Sequence, residues 1–421
     1  MKENVLVIFA SGGGGLIQAA EAKCQEILSH NPQAKIIKKD LMIDWVGIPF
    51  GFFGARAWDY AQKKGDIKKL EKIRSCQPAA DYLFWPNVFF RAVWLLLKED
   101  ITRVIDTQPV CTAAIIKAIR FVNYYKKRNV YLEKVVVDLP TDQNTHFFQP
   151  IKKLSVQDRK FIKIFTVDPL LKGSETEEQF WNRNCKLSLD RVCIQKYFIR
   201  QSFLKYQTKE TINTPVIINA SCYDQEEVQM TENVLKGKNI DFEKKQMDFS
   251  YQIKAEDLVY TILLGSQPAG DATIAYLHGF LKLFEQSKKS SKHIIFIFCS
   301  KHKMQKKSLF KTVADFALEK NCYSNLVIVP LSFQNECVIS PIFSRSNATF
   351  TRSGGQTVME LMAVMRGKIF IHSEVKGELT REKLLKGMFA WESGSAVYLE
   401  EKLGATIITP TMFEKKLSCF F

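Results

Sequence analysis

Short runs of consecutive aliphatic residues recur along this chain, each followed by a turn and then by apolar positions spaced three and four apart. That grammar predicts β-strands alternating with α-helices, hence βαβ units and a parallel sheet. In the first half, strands are expected at Asn4–Phe9, Thr102–Ile105 and Lys134–Val137, with helices over Leu16–Ser29 and Thr112–Tyr125. In the second half, strands are expected at Val259–Leu264, His293–Phe298, Leu326–Val329, Ala348–Thr351 and Lys368–Ile371. Helices should span Asp271–Gln286, Lys306–Glu319 and Gln356–Met365. The strand segments are continuously apolar rather than alternating, so both faces of each sheet should be covered. Gln201–Ala255 breaks the rhythm, with eight acidic residues in 201–250 and no long apolar repeat outside Val216–Ile218. We therefore expect an α/β protein with Rossmann-like domains at 1–205 and 256–421, the second with a C-terminal tail, joined by a linker or irregular insert at 206–255. Two such domains would face one another across a central cleft, where open α/β sheets bind nucleotides.

Composition adds a partner class. The 421 residues exceed one hydrophobic core, and 46% hydrophobic with 25% charged residues excludes wholesale disorder, collagen and coiled coil. The formal net charge is +16, and residues 1–200 hold 32 Lys and Arg against 21 Asp and Glu. Such a field favours an anionic partner: nucleic acid, an acidic lipid surface or a phosphorylated substrate. Nucleic acid is disfavoured because no RNP, zinc-finger or helix-turn-helix signature is present. The ten cysteines are scattered without a C-x-x-C pair, and the six histidines show no metal-binding spacing. A reducing, cytoplasmic setting without a metal site or cofactor is the expectation. Val5–Ala10 is too short, and followed by glycines, to be a signal peptide; Tyr82–Leu97 is interrupted by Pro86, Asn87 and Arg91.

Three turns carry candidate chemistry. In Ala348–Glu360 (ATFTRSGGQTVME) a strand ends, two glycines remove side chains and a helix begins. Free N–H groups at that helix start would hold a pyrophosphate, Arg352 would add a cation, and Glu360 would accept hydrogen bonds from ribose hydroxyls. A tight strand–helix turn is the plainer alternative. Leu264–Gly270 repeats the logic, with Ser266 and Gln267 as donors to phosphate or base. Ser11–Gly15 precedes the first helix, and its glycines Gly12, Gly13, Gly14 and Gly15 permit close approach of a substrate to backbone. It is neither a G-x-G-x-x-G fingerprint nor a P-loop, which disfavours NAD and ATP chemistry.

These motifs together resemble the GT-B glycosyltransferase group of MurG, the diacylglycerol galactosyltransferases and the bacterial exopolysaccharide transferases. Ser11–Ala20 (SGGGGLIQAA) is similar to that group's S-G-G-G-H-L-x-Q, and Thr351–Glu360 (TRSGGQTVME) to S-R-[AS]-G-x-x-T-x-x-E. Gly265-Ser266-Gln267 matches a G-S-Q, and Ser395–Thr406 (SAVYLEEKLGAT) resembles N-A-x-x-L-E-x-x-G-A. The resemblance implies a GT-B fold with an amino-terminal acceptor domain and a carboxy-terminal domain that binds a UDP-sugar as co-substrate, without a metal. It places Gly265, Ser266, Gln267, Arg352, Ser353, Gly354, Gly355, Thr357 and Glu360 at the donor, and implies an inverting transfer to a lipid-linked acceptor. The same resemblance covers UDP-sugar 2-epimerases less well, and a catalytically silent sugar-nucleotide or partner-binding protein is the rival outside enzymes.

The chain departs from the group where catalysis is concerned. Gly15 stands at the position of its acceptor-side histidine, and Trp391-Glu392 stands where a sugar-contacting Gln pair is found, which makes Glu392 a donor-side candidate. A base must then come from elsewhere, since transfer to a hydroxyl needs a proton acceptor. Asp106 and Asp138 follow predicted parallel strands, and His146 is the one imidazole near them in sequence; turn or capping roles are the plain alternatives. Ile48–Tyr60 (IPFGFFGARAWDY), expected as a loop, and Tyr82–Leu97 concentrate Phe and Trp beside Arg56 and Arg91. Aromatics with interleaved cations suit an anionic membrane surface on the cytoplasmic face, core packing being the alternative for the second stretch.

Overall fold

The computed structural model describes residues 3–11, 14–63, 66–195, 198–207, 212–265, 268–286, 291–300, 308–320 and 323–417. The chain forms two compact units. The first comprises Met1–Gln201 with Gly354–Met359 and Phe389–Tyr398; the second comprises Ser202–Ser353, Glu360–Met388 and Leu399–Phe421.

The first unit is built on a six-stranded parallel sheet of β1 (Asn4–Phe9), β2 (Lys35–Asp40), β3 (Arg103–Asp106), β4 (Leu132–Val135), β5 (Ile162–Thr166) and β6 (Val192–Ile194), in the order β2-β1-β3-β4-β5-β6. Its central strands β1 and β3 bury nearly every side chain, as strands covered on both faces must. Strand β2 (KIIKKD) has no such signal in sequence because it is an edge, and lysines on an edge discourage pairing with another chain. The expected strand at Lys134–Val137 begins two residues earlier, leaving Val136 and Val137 beyond its end.

Residues Phe50–Lys63 form a helix rather than the expected loop. At Gly51 a Cβ would fall on the Met42 carbonyl oxygen, so this glycine serves close backbone approach inside a helix rather than a turn. The helix Trp85–Lys98 is two-faced, with Val88, Ala92, Leu95 and Leu96 buried and Phe90 and Trp94 exposed. Among the described residues no helix is long and apolar enough to cross a membrane.

In the second unit, the stretch expected as a linker is largely ordered. It holds β7 (Val216–Ser221), the helix Gln225–Leu235, β8 (Asp241–Lys245) and β9 (Asp248–Ile253), a three-stranded antiparallel sheet ordered β7-β9-β8. Strand β9 (DFSYQI) buries Phe249, Tyr251 and Ile253 and turns its polar residues outward, the period-two alternation of a sheet with one wet face. A six-stranded parallel sheet follows: β10 (Leu258–Leu263), β11 (His293–Phe298), β12 (Leu326–Leu331), β13 (Ala348–Thr351), β14 (Lys368–His372) and β15 (Thr406–Ile408). Its order is β12-β11-β10-β13-β14-β15, the doubly wound Rossmann order. Strands β11 (HIIFIF) and β12 (LVIVPL) are buried at every position. Their core continues through Tyr276, Leu277 and Phe280 of the helix Gly270–Gln286.

Candidate functional site

A doubly wound sheet has a switch point where neighbouring strands send their connections in opposite directions, and a crevice opens there beyond the carboxyl ends. In the second unit that point lies between β10 and β13, which pair through Leu263 and Thr351 and run on into Gly265 and Arg352. Gly265 has φ +87°, and a Cβ on it would lie 3.8 Å from Arg352 Cδ. Two of the sequence candidates are therefore neighbours where an anion would be expected. Ser266 and Gln267 lie outside the described residues. Ser353 and Glu360 are buried in the same unit.

Residues that sequence reasoning missed hold Arg352 in place. Its guanidinium is ion-paired with Glu374 Oε1, and Glu374 Oε2 lies 3.4 Å from His372 Nε2. His372 Nδ1 is 3.0 Å from the Tyr276 hydroxyl. Burial pushes the Glu374 carboxyl up, but the hydrogen bond with His372 and the charge of Arg352 outweigh burial and hold it at about 2. Glu374 lies two residues beyond β14, and 96 positions separate Tyr276 from His372, so no local motif marks the chain.

In the first unit the structure brings Asp138 and His146 together. Three residues past the end of β4, Asp138 Oδ2 meets His146 Nε2 at 3.0 Å, with both side chains about nine-tenths buried. Asn144 Nδ2 donates to the Asp138 carbonyl at 3.0 Å and closes the loop that presents the imidazole. His146 Nδ1 is buried and takes no hydrogen-bond partner among the described residues. A carboxylate orienting one ring nitrogen while the other keeps its lone pair is the arrangement of a general base.

Further candidates pack onto this pair. Gly355 opens the helix Gly355–Val364, and a Cβ there would fall on the Val137 carbonyl oxygen and lie 2.7 Å from both Asp138 Cα and Oδ1. Only glycine permits that approach. Gly354 faces open space, and Thr357 is half-buried. The Trp391 ring lies 4.9 Å from the His146 ring and 6.0 Å from Trp58, with Glu392 half-buried beside it. A Cβ on Gly394 would overlap Thr141 Oγ1, so this segment too is seated by a glycine. Gly14 opens the helix Gly14–His30, while Gly12 and Gly13 lie outside the described residues. A Cβ at Gly15 would meet only ordinary contacts, Gln356 Cβ at 3.7 Å and Val137 Cγ1 at 3.9 Å.

Asp106 stands apart from that group. Its carboxylate receives the Lys134 ammonium at 2.7 Å, and both side chains are fully buried. Lys134 also donates to Thr112 Oγ1 at 2.9 Å and to the Gln108 carbonyl. Burial raises the Asp106 carboxyl against the pull of Lys134. This is a pair that ties β3 to β4, with its proton-accepting oxygen already engaged. Among the described residues, no three of His, Cys, Asp or Glu converge closely enough to hold a metal ion.

No protein-family model matches the chain, and no curated protein matches it in sequence. Among solved structures it is similar to MurG of Acinetobacter baumannii, at 11% identity and TM-score 0.46, covering 100% of this chain and 91% of that one. It is similar to UDP-GlcNAc 2-epimerase from Methanocaldococcus jannaschii at 11% identity and TM-score 0.46, covering 100% and 92%. A glycosyltransferase from Rickettsia africae matches at 13% identity and TM-score 0.41, covering 99% and 93%.

Proposed function

We propose that this chain is a metal-independent GT-B glycosyltransferase moving a sugar from a UDP-sugar to a hydroxyl acceptor, lipid-linked and presented at a membrane surface. The observation that carries the reading is the Asp138–His146 pair, with an imidazole nitrogen left without a partner and Gly355 of the SGGQT turn pressed against Asp138. In this reading His146 takes the acceptor's proton while the hydroxyl oxygen bonds to the anomeric carbon and the sugar–phosphate bond breaks. Asp138 holds the ring and stabilises the imidazolium. The electron pair leaves with UDP, whose charge is met by Arg352 and the backbone N–H groups of its turn. Glu360 takes the ribose hydroxyls.

The membrane surface is supported by exposed aromatics on the helices Trp85–Lys98 and Thr112–Lys126, among them Phe90, Trp94, Tyr124 and Tyr125. Lys98 sits 4.4 Å from the Trp94 ring centre and Lys126 5.4 Å from that of Tyr125, pairing ring and cation as a lipid headgroup boundary requires.

The test is UDP release from UDP-glucose, UDP-galactose and UDP-N-acetylglucosamine, with lipid acceptors presented in phosphatidylglycerol vesicles. His146→Gln and Asp138→Asn should each lower turnover by about 10²–10⁴-fold with UDP binding retained. Turnover unchanged in both would remove the pair from the reaction. A second reading, a silent binding protein, is favoured by Gly15, where the related transferases carry histidine. The backbone at Gly15 accepts a Cβ without overlap, so Gly15→His tests this. Activity gained only in that variant would favour the second reading.

A further inference from the structure

A cavity of about 670 Å³ runs beside the helix Thr145–Lys152 in the first unit, against the end of the helix Glu177–Cys185. Four cations line it: Lys152, Lys153, Arg159 and Lys186. None of its lining residues is acidic. The carboxylates on the flanking segments are engaged by other partners. Asp158 is held by Lys117 and Arg120, Asp142 by Lys172 and Arg183, and Glu175 by Arg183. Among the described residues none of the four lining cations ends in an ion pair.

The alternative is that they merely complement helix ends. Lys152 and Lys153 do stand at the end of one helix, where Arg159 also donates to the Lys152 and Leu154 carbonyls, and Lys186 stands at the end of another. Each helix end carries about half a negative charge, so the two together offset about one of the four. Asp81 also acts on Lys153, so between about two and three positive charges remain around one concavity, and their mutual repulsion opposes folding. The floor is not a flat lysine surface: Phe148 and Leu154 are buried beneath the cations, and the Gln149 and Asn184 carboxamides stand at its wall. A volume of this size takes a ligand larger than a lone ion.

We propose that this cavity binds a phosphoryl-bearing ligand, a phosphomonoester or pyrophosphate attached to an organic body, at a site separate from Gly265 and Arg352. The chemistry is shared by a soluble phosphometabolite and a phosphomonoester lipid headgroup. Its signature is a cluster that is self-repelling when empty and neutralised when filled.

The experiment follows thermal unfolding by tryptophan fluorescence, because all six tryptophans lie in the first unit. Sodium pyrophosphate at constant ionic strength should raise the wild-type Tm by about 3 °C at tenfold excess over its Kd. Arg352→Ala should show the same rise, which separates this cavity from the proposed donor site. The double variant Lys152→Gln/Lys186→Gln, both positions exposed, should melt higher than wild type without ligand and show no rise with it. A rise that survives in the double variant, disappears in Arg352→Ala, or is absent from wild type overturns the proposal. Sedimentation with phosphatidylcholine vesicles containing phosphatidic acid then assigns the source. Loss of co-sedimentation in the double variant assigns a lipid headgroup, and undiminished sedimentation beside a lost pyrophosphate response assigns a soluble ligand.

Discussion

Replacing Glu374 by Gln keeps the shape of the side chain and removes the charge that faces Arg352 and His372. The folded carboxyl titrates at about 2 against an ordinary 4.5. A difference of about 2.5 units at about 1.4 kcal/mol each makes ionised Glu374 contribute roughly 3 kcal/mol at pH 7. With Arg352 9% and Glu374 21% exposed, solvent screening takes little of that. Removing one partner of a buried pair costs about 3–5 kcal/mol, a loss of the same size. Because the folded value is depressed, the stabilisation is present above pH 4.5 and is lost as pH falls toward 2. By pH 3 it should be roughly 1.4 kcal/mol. Urea unfolding followed by far-UV circular dichroism reads this, since the second unit has no tryptophan. The account expects Glu374→Gln to lose about 3 kcal/mol at pH 7 and less than half of that at pH 3. An equal loss at both pH values, or a loss below about 1 kcal/mol at pH 7, refutes the reasoning.

Other perturbations separate close neighbours. Gly355→Ala should cost about 1–3 kcal/mol of stability in chemical denaturation, because its methyl would overlap Val137 and Asp138, while Gly354→Ala in open space should change little. Asp106→Asn should lose about 3–5 kcal/mol by leaving Lys134 buried without its counter-charge, and Asp106→Leu with Lys134→Met should regain much of it. Serine in place of Phe90, Trp94 and Tyr124 should reduce co-sedimentation with phosphatidylglycerol vesicles and leave the melting temperature close to wild type, as exposed side chains contribute little to folding.

Most central parallel strands were legible because burial on both faces leaves little choice but continuous apolar residues, as in His293–Phe298, whereas the interior strand Ile162–Thr166 was missed because it alternates in burial and carries Lys163. Edges were not: Lys35–Asp40 is charged because it must not recruit another chain, and Thr406–Ile408 is three residues long. The small antiparallel sheet escaped because polar residues on its outward face dilute composition, although Asp248–Ile253 alternates in burial. In the candidate site, Asp138 could be nominated from its place after a strand and His146 as the one imidazole near it in sequence, but their 3.0 Å contact depends on the loop that Asn144 closes. Asp106 had the same sequence credentials and turned out to be buried against Lys134, a partner 28 residues away. Nothing local in the sequence marks Glu374, whose significance comes from Arg352, 22 residues earlier on another strand end.

The central claim is that the switch point of the second sheet binds a UDP-sugar. Calorimetric titration with UDP, UDP-glucose, UDP-galactose and UDP-N-acetylglucosamine, repeated on Glu360→Ala, tests it most directly. The account predicts saturable binding with preference for one UDP-sugar, lost or weakened at least tenfold in the variant, an effect of about 1.4 kcal/mol or more. Binding to none of the four, or binding that Glu360→Ala leaves untouched, contradicts it.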